Sequence, residues 1–271
     1  MAQYSLSLWT PFSSAWENRS LIFRLARREI EARYRGSILG VVWAILVPLL
    51  LVCVYTFVFS RVFQIRWMPN EGQGGFALLV FSGLILFNLF SECANRAPGL
   101  LLEHVTYIKK VVFPLEILPW VSMVVALFQA AISFLVLLVF YLVVHGFPPL
   151  TVLLLPVVLC PLVFLTLGVV WFISSVGIFL RDIRPFMGVV TTMMMFLSPI
   201  FYPVDAVPEA YRLLIHLNPL TLVLESSKEV LFWGKIPHWH YWIFYMGLCL
   251  ASSWLGYAWF QKTRKGFADV V

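Results

Sequence analysis

With 271 residues the chain is long enough for one or two soluble domains, yet 61% of it is hydrophobic and only 12% charged, against roughly 45–50% and about 25% in soluble globular domains. So few charges exclude a soluble fold, the wealth of apolar and aromatic residues excludes disorder, and four scattered cysteines in or beside apolar runs (Cys53, Cys93, Cys160, Cys249) exclude a disulfide scaffold. An all-α integral membrane protein is what remains, and its net charge of +6 is then a matter of topology rather than of nucleic-acid binding.

The first 35 residues hold no apolar core ahead of a cleavage site, so no signal peptide is expected. Residues 16–35 predict an amphipathic helix in this N-terminal segment. Ile22, Ala26, Ile30 and Tyr34 share one face; Arg24, Arg28, Glu31 and Arg35 share the other. With Trp16 and Phe23 added, the pattern suits a helix lying along anionic lipid.

Beyond it, five stretches carry no Asp, Glu, Lys or Arg: 36–60, 72–91, 117–180, 185–204 and 236–261. A spanning helix needs about 20 apolar residues. The third stretch, at 64 residues, is too long for one span, and His145-Gly146-Phe147-Pro148-Pro149 divides it with turn chemistry. Six spans are therefore predicted, at 38–60, 74–92, 117–144, 150–180, 186–203 and 238–260, in a single transmembrane domain covering 1–271. Six is even, so both termini lie on one side. Placing that side in the cytoplasm puts 14 of the 19 Lys and Arg residues inside and 5 outside, the asymmetry that the positive-inside rule demands.

Two connections stand out. Residues 95–114, bracketed by Pro98 and Pro114, carry Arg96, Glu103, His104, Lys109 and Lys110 among leucines and predict a short cytoplasmic helix. Composition alone leaves open an idle loop or a docking element for a soluble partner. Residues 205–235 mix apolar runs with Pro208, Asn218-Pro219 and Gly234. They predict two short helices that dip back into the membrane or lie on its outer surface, an ordinary loop being the alternative. Irregular backbone at membrane depth survives only against protein or a water-filled cavity.

Soluble-enzyme chemistry is missing from the sequence. No G-x-x-x-x-G-K-[ST] loop is present, so the chain itself is not expected to bind nucleotide. His238-Trp239-His240 opens the last span beside Tyr241 and Trp242 and reads as an interfacial aromatic belt rather than a metal site. No pair of carboxylates lies inside a span, as proton coupling would commonly require. What the spans do carry is aromatic: Trp43, Tyr55 and Phe59 in the first, Phe196, Phe201 and Tyr202 in the fifth. Such rings either pack against lipid and protein or line a pore, where sugar C–H faces stack on them and hydroxyls meet their polar tips.

The motifs, in order, resemble the type-2 ABC exporter permeases for polysaccharides, the Wzm and TagG kind first and the KpsM kind more distantly. The resemblance runs through Tyr34-Arg35-Gly36-Ser37-Ile38-Leu39-Gly40, Trp43 and Pro48-Leu49; through residues 109–119 leading into span three; and through Arg181-Asp182-Ile183 after span four. It continues in Ser198-Pro199-Ile200-Phe201-Tyr202-Pro203, Asn218-Pro219-Leu220 and the segment from Phe260 to Asp269. It implies a bacterial inner-membrane permease that forms a homodimer over two separate ATPase subunits and exports a lipid-linked polysaccharide such as O-antigen, capsule or teichoic acid. ATP and Mg would be bound by the partner, with no cofactor on this chain. Under that resemblance the N-terminal helix with Arg24, Arg28 and Arg35 is an interface helix. The segment with Arg96, Glu103, His104, Lys109 and Lys110 is the coupling helix. Trp43, Tyr55, Phe59, Phe196, Phe201 and Tyr202 line the channel, and 205–235 gates its outer mouth. His104 departs from the polar Asn-like residue expected in the coupling loop. An exporter of small hydrophobic compounds and a lipid-linked glycosyltransferase are the alternatives.

Overall fold

The computed structural model describes residues 10–62, 75–105, 113–180 and 182–270, and among them there are helices and turns but no strand. Thr10–Glu17 (α1) and Arg19–Tyr34 (α2) precede the first apolar helix. Trp43–Tyr55 (α3) is entered through a 3-10 turn at Gly40–Val42 and left through a π-helical turn at Thr56–Val62. Then follow Gly75–Leu100 (α4), Leu118–His145 (α5), Leu155–Gly177 (α6), Ile183–Leu197 (α7), Glu209–Leu217 (α8), Thr221–Phe232 (α9), Trp239–Thr263 (α10) and Phe267–Val270 (α11).

Five helical stretches among the described residues are long and apolar enough to cross a bilayer: Gly40–Phe59, Gly75–Leu100, Leu115–His145, Leu150–Gly177 and Trp239–Gly266. They fall on five of the six predicted spans. The division at 145–149 is realised by Gly146, whose φ of 82° ends α5 in a conformation that L side chains resist. The fifth predicted span differs. Its helix α7 has 15 residues, about 22 Å at 1.5 Å per residue, because Ser198 turns extended at φ −94°, ψ 145° ahead of Pro199. The second span also differs. Its helix continues past 92 through Pro98 to Leu100, so Asn95 and Arg96 stand on α4 itself.

Helix α4 is the post of the bundle. In its most apolar window 83% of the residues are buried, against 17% for the first span. α5, α6, α7, α3 and α9 all lean on it. Pro98 lies against Gly177 of α6, where a Cβ would come within 2.5 Å of the Pro98 carbonyl oxygen. The most extensive contact in the molecule joins α6 and α10. There a Cβ on Gly168 would lie 2.7 Å from the Ser252 carbonyl oxygen, and one on Gly256 would overlap the Gly168 carbonyl. Small residues let two backbones touch, which is how helices gain dispersion energy in lipid.

The apolar stripe of α2 docks on protein: Ile22 and Ala26 are buried in a cluster with Ile117, Val121 and Val125 at the start of α5. The pair α8–α9 occupies the expected place of two short helices. α9 folds back into the bundle, with Leu220, Val223 and Leu224 beside Leu86 and Phe87 near the middle of α4 and Leu162 of α6. Both ends of the described chain meet at Glu116, which accepts hydrogen bonds from Ser14 Oγ at 3.4 Å and from Arg264 Nη1 at 2.6 Å. Among the described ion pairs only Lys228–Glu225 lies at the opposite end of the bundle. Charge is thus concentrated where α2 sits.

Candidate functional site

Three clusters carry the polar chemistry. The first joins α2 to the end of α4. Glu29 on α2 accepts from Arg96 Nη1 at 2.5 Å, and the other Arg96 nitrogen faces Glu103 Oε2 at 3.6 Å in the turn Leu102–His104. His104 Nε2 comes to 3.7 Å of Glu29 Oε1. Arg96, Glu103 and His104, named from the sequence as one coupling set, are therefore one cluster, and Glu29 is the member that sequence reasoning missed. Lys109 and Lys110 lie outside the described residues. Arg24, Arg28 and Arg35 are exposed on the outer face of α2, while Arg33, between them, pairs with Glu92 of α4.

Burial alone would raise the Glu29 carboxyl, but the close approach of His104 and the hydrogen bond from Arg96, reinforced by charge, overcome it and hold the group below its ordinary value of 4.5. A depressed carboxylate contributes its full stabilisation above the unfolded-state value and loses it as pH falls through the folded value. The melting temperature of the wild-type chain in detergent should accordingly exceed that of Glu29→Gln at neutral pH. The two curves should converge as the pH is taken below 4.5 and downward; a gap independent of pH would show that the carboxylate charge has no part in it.

The second cluster closes the opposite end. Asn218 Nδ2 donates to Ser198 Oγ at 2.8 Å while its Oδ1 accepts from the Leu220 N–H at 3.0 Å. Ser198 Oγ in turn donates to the Met194 carbonyl at 2.6 Å. Lys228, fully buried on α9, donates to the Pro199 carbonyl and lies 3.3 Å from Glu225 Oε1, and the Tyr245 hydroxyl donates to the Pro219 carbonyl. The Ser-Pro and Asn-Pro dipeptides, 20 residues apart in sequence, thus form one latch where α7 hands over to α8 and α9. In the sequence Lys228 counted only as an outside charge.

The third set is aromatic. Trp43 lines a cavity of about 470 Å³ between α3, α4 and α5. Tyr55 and Phe59 stand 6.2 Å apart, and Phe59 meets Phe76 of α4 edge-on at 5.2 Å. In the second group, Phe196 is exposed and lies 6.3 Å from the half-buried Phe201. The Tyr202 hydroxyl donates to the Phe196 carbonyl at 2.8 Å. The structure therefore places the rings in two groups, one along α3 and the π-helical turn that follows it and one at the end of α7 and just beyond, each leaning on α4. A wide apolar groove of about 1090 Å³ separates α7 from α6 and α10, so α7 is held mainly by α4 and its terminal latch.

Residues 20–232 match the family model described as ABC-2 type transporter. The chain is 26% identical over 258 residues to the O-antigen export system permease protein RfbA of Myxococcus xanthus, covering 94% of this chain and 97% of that one. It is 26% identical over 253 residues to a protein of the same name from Klebsiella pneumoniae, covering 93% and 95%. The polysialic acid transport protein KpsM of Escherichia coli is 26% identical over 210 residues, 77% of this chain and 80% of that protein. With a family match over residues 20–232 and five membrane-length helices, this multi-pass membrane protein belongs to the ABC-2 type transporter family.

Proposed function

We propose that the chain is the transmembrane subunit of an ATP-driven exporter that moves a lipid-linked polysaccharide of the O-antigen, capsule or teichoic-acid type across the bacterial inner membrane. The similarity to O-antigen and polysialic acid permeases over most of the chain supports the cargo. The placement of α3 and α7 is the observation that carries the mechanism. Each leans on α4 along one side and leaves a face of large side chains exposed: Val47, Leu50 and Val54 on α3; Phe186, Val189, Met193 and Phe196 on α7. A second copy of the chain closes these faces into a channel lined by the first and fifth spans of each protomer, with Trp43, Tyr55, Phe59, Phe196, Phe201 and Tyr202 along it.

In this reading both termini are cytoplasmic and α2 is the interface helix. Residues 95–110 take the push of a separate ATPase subunit, which binds the ATP and Mg, and α8–α9 gates the outer mouth. The Glu29–Arg96–Glu103 cluster supports the coupling step. A displacement of the segment after α4 is passed to α2 through charge-assisted hydrogen bonds, which are stronger than neutral ones. Aromatic walls suit a polymer, since stacking tolerates successive repeat units.

The test is export in cells. Deleting the gene should trap finished polymer inside, and the wild-type chain should return it to the surface. Leucine at Tyr55, Phe59 and Tyr202 together keeps bulk and hydrophobicity but loses ring faces and hydroxyls. Surface polymer should then fall by about tenfold or more, given roughly 0.5–1.5 kcal/mol per aromatic contact, while ATP hydrolysis by the assembled complex persists. Wild-type surface polymer in the triple variant would place these rings against lipid or protein instead.

A further inference from the structure

The most enclosed helix of the bundle has one open face, and that face is polar. Along α4 the residues not buried include Asn88, Ser91, Glu92 and Asn95, at spacings i, i+3, i+4 and i+7, which is a single stripe. Asn88 stands at the middle of the 26-residue helix, and an amide without a polar partner is expensive in hydrocarbon. Such a stripe does not face hydrocarbon. It forms one wall of the 470 Å³ cavity, a size within the roughly 300–1,000 Å³ of small-molecule sites.

The other walls complete a recognisable chemistry. Gln129 and Ser133 of α5 line the cavity together with the rings of Trp43 and Tyr34. The Gln129 amide is fixed, accepting from the Tyr34 hydroxyl at 3.0 Å and donating to the Ala44 carbonyl at 3.2 Å. Asn95 Oδ1 accepts from Thr191 Oγ1 of α7 at 3.1 Å, which leaves its amide N–H groups as donors. Arg33 is the one cation among the described lining residues, and it is already paired with Glu92. A phosphate or carboxylate would meet the Glu92 charge with no uncommitted cation to answer it. Hydroxyl groups would meet amides that both accept and donate and a carboxylate that accepts, beside ring faces that take C–H surface.

We infer that this cavity is a subsite for an uncharged sugar unit, in the half of the membrane path nearest α2. It deepens the export reading and rests on it: the polymer would be read here by hydrogen bonds, on the wall of α4, and not only by aromatic contact with α3 and the segment after α7.

The test uses the deletion strain and Asn88. Asn88→Leu adds an apolar residue at an exposed position, so accumulation and melting temperature in detergent should be unchanged or higher. Surface polymer should nevertheless fall about tenfold, the scale of one lost hydrogen-bond partner, and Asn88→Gln should restore it. A photo-crosslinking p-benzoylphenylalanine in place of Asn88 should capture a species that carries neutral sugar by lectin and periodate staining. Wild-type export by Asn88→Leu, or a crosslinked adduct containing phospholipid and no sugar, overturns the subsite alone. If the wild-type chain itself fails to return polymer to the surface, the export reading falls, and the subsite with it.

Discussion

A Gly256→Leu variant should fail to accumulate as a folded protein, and whatever can be solubilised should melt far below the wild type. The cause is the contact between backbones. A single Cβ at Gly256 already overlaps the Gly168 carbonyl, and one at Gly168 would come within 2.7 Å of the Ser252 carbonyl and 2.9 Å of the Ser253 backbone. Neither neighbour is a flexible side chain that could swing aside. α10 would have to move off α6 along the longest contact in the molecule, at a cost beyond the roughly 1–3 kcal/mol of ordinary overpacking. Gly256→Ala should already be destabilised. Gly247→Leu is the control, because it lies on the same helix with nothing within 4 Å. Equal melting temperatures for Gly247→Leu and Gly256→Leu would mean that the helices do not cross at this point.

Removing the cation at the other focal point should be nearly as damaging. Arg264 donates to Glu116 Oε2 at 2.6 Å and to the Phe113 carbonyl at 3.0 Å, and the Glu116 carbonyl accepts from Trp171 Nε1 at 3.1 Å. The two side chains are 12% and 15% exposed, dry enough that stranding one charge costs about 3–5 kcal/mol. Arg264→Ala is expected to lose stability on that scale in detergent denaturation. Arg264→Lys should keep the charge but lose the two-pronged geometry, and so fall between. The exchanged pair Glu116→Arg with Arg264→Glu should recover part of the loss. If Arg264→Ala melts like the wild type, the pair is an incidental surface contact.

The helices themselves were legible because charge is excluded from them. Five of the six predicted spans became membrane-length helices, and the break at Gly146 was visible as turn chemistry. Pro98 misled the reading of α4. A proline usually marks a boundary, yet here it sits in the last turn, pressed against Gly177 of α6 by a tertiary contact that no local pattern encodes. The coupling residues Arg96, Glu103 and His104 were found together because they are neighbours in sequence. Their partner Glu29 was not, since it is 67 residues away from Arg96 and looks like one more charge on an amphipathic helix. Lys228 was hidden for a related reason. A lysine in a mixed segment counts as a topology charge until the structure buries it against the Pro199 carbonyl. Asn88 carried a visible signal, one amide in the middle of an apolar helix, but periodicity cannot say whether such a residue meets a neighbour or a cavity.

The crossing of α6 with α10 also bears on how the chain is made. α10 is the least apolar of the five membrane-length helices and is synthesised after the helix that receives it. Until it leaves the ribosome, the bare backbone at Gly168 has no occupant and Glu116 has no arginine. Until then the nascent bundle holds an unfinished groove beside Gly168 and lacks the Arg264 partner of Glu116. Arrival of Trp239–Thr263 closes the groove and delivers Arg264 in one event. The two contacts therefore form together, as the last of the described membrane-length helices packs against α6.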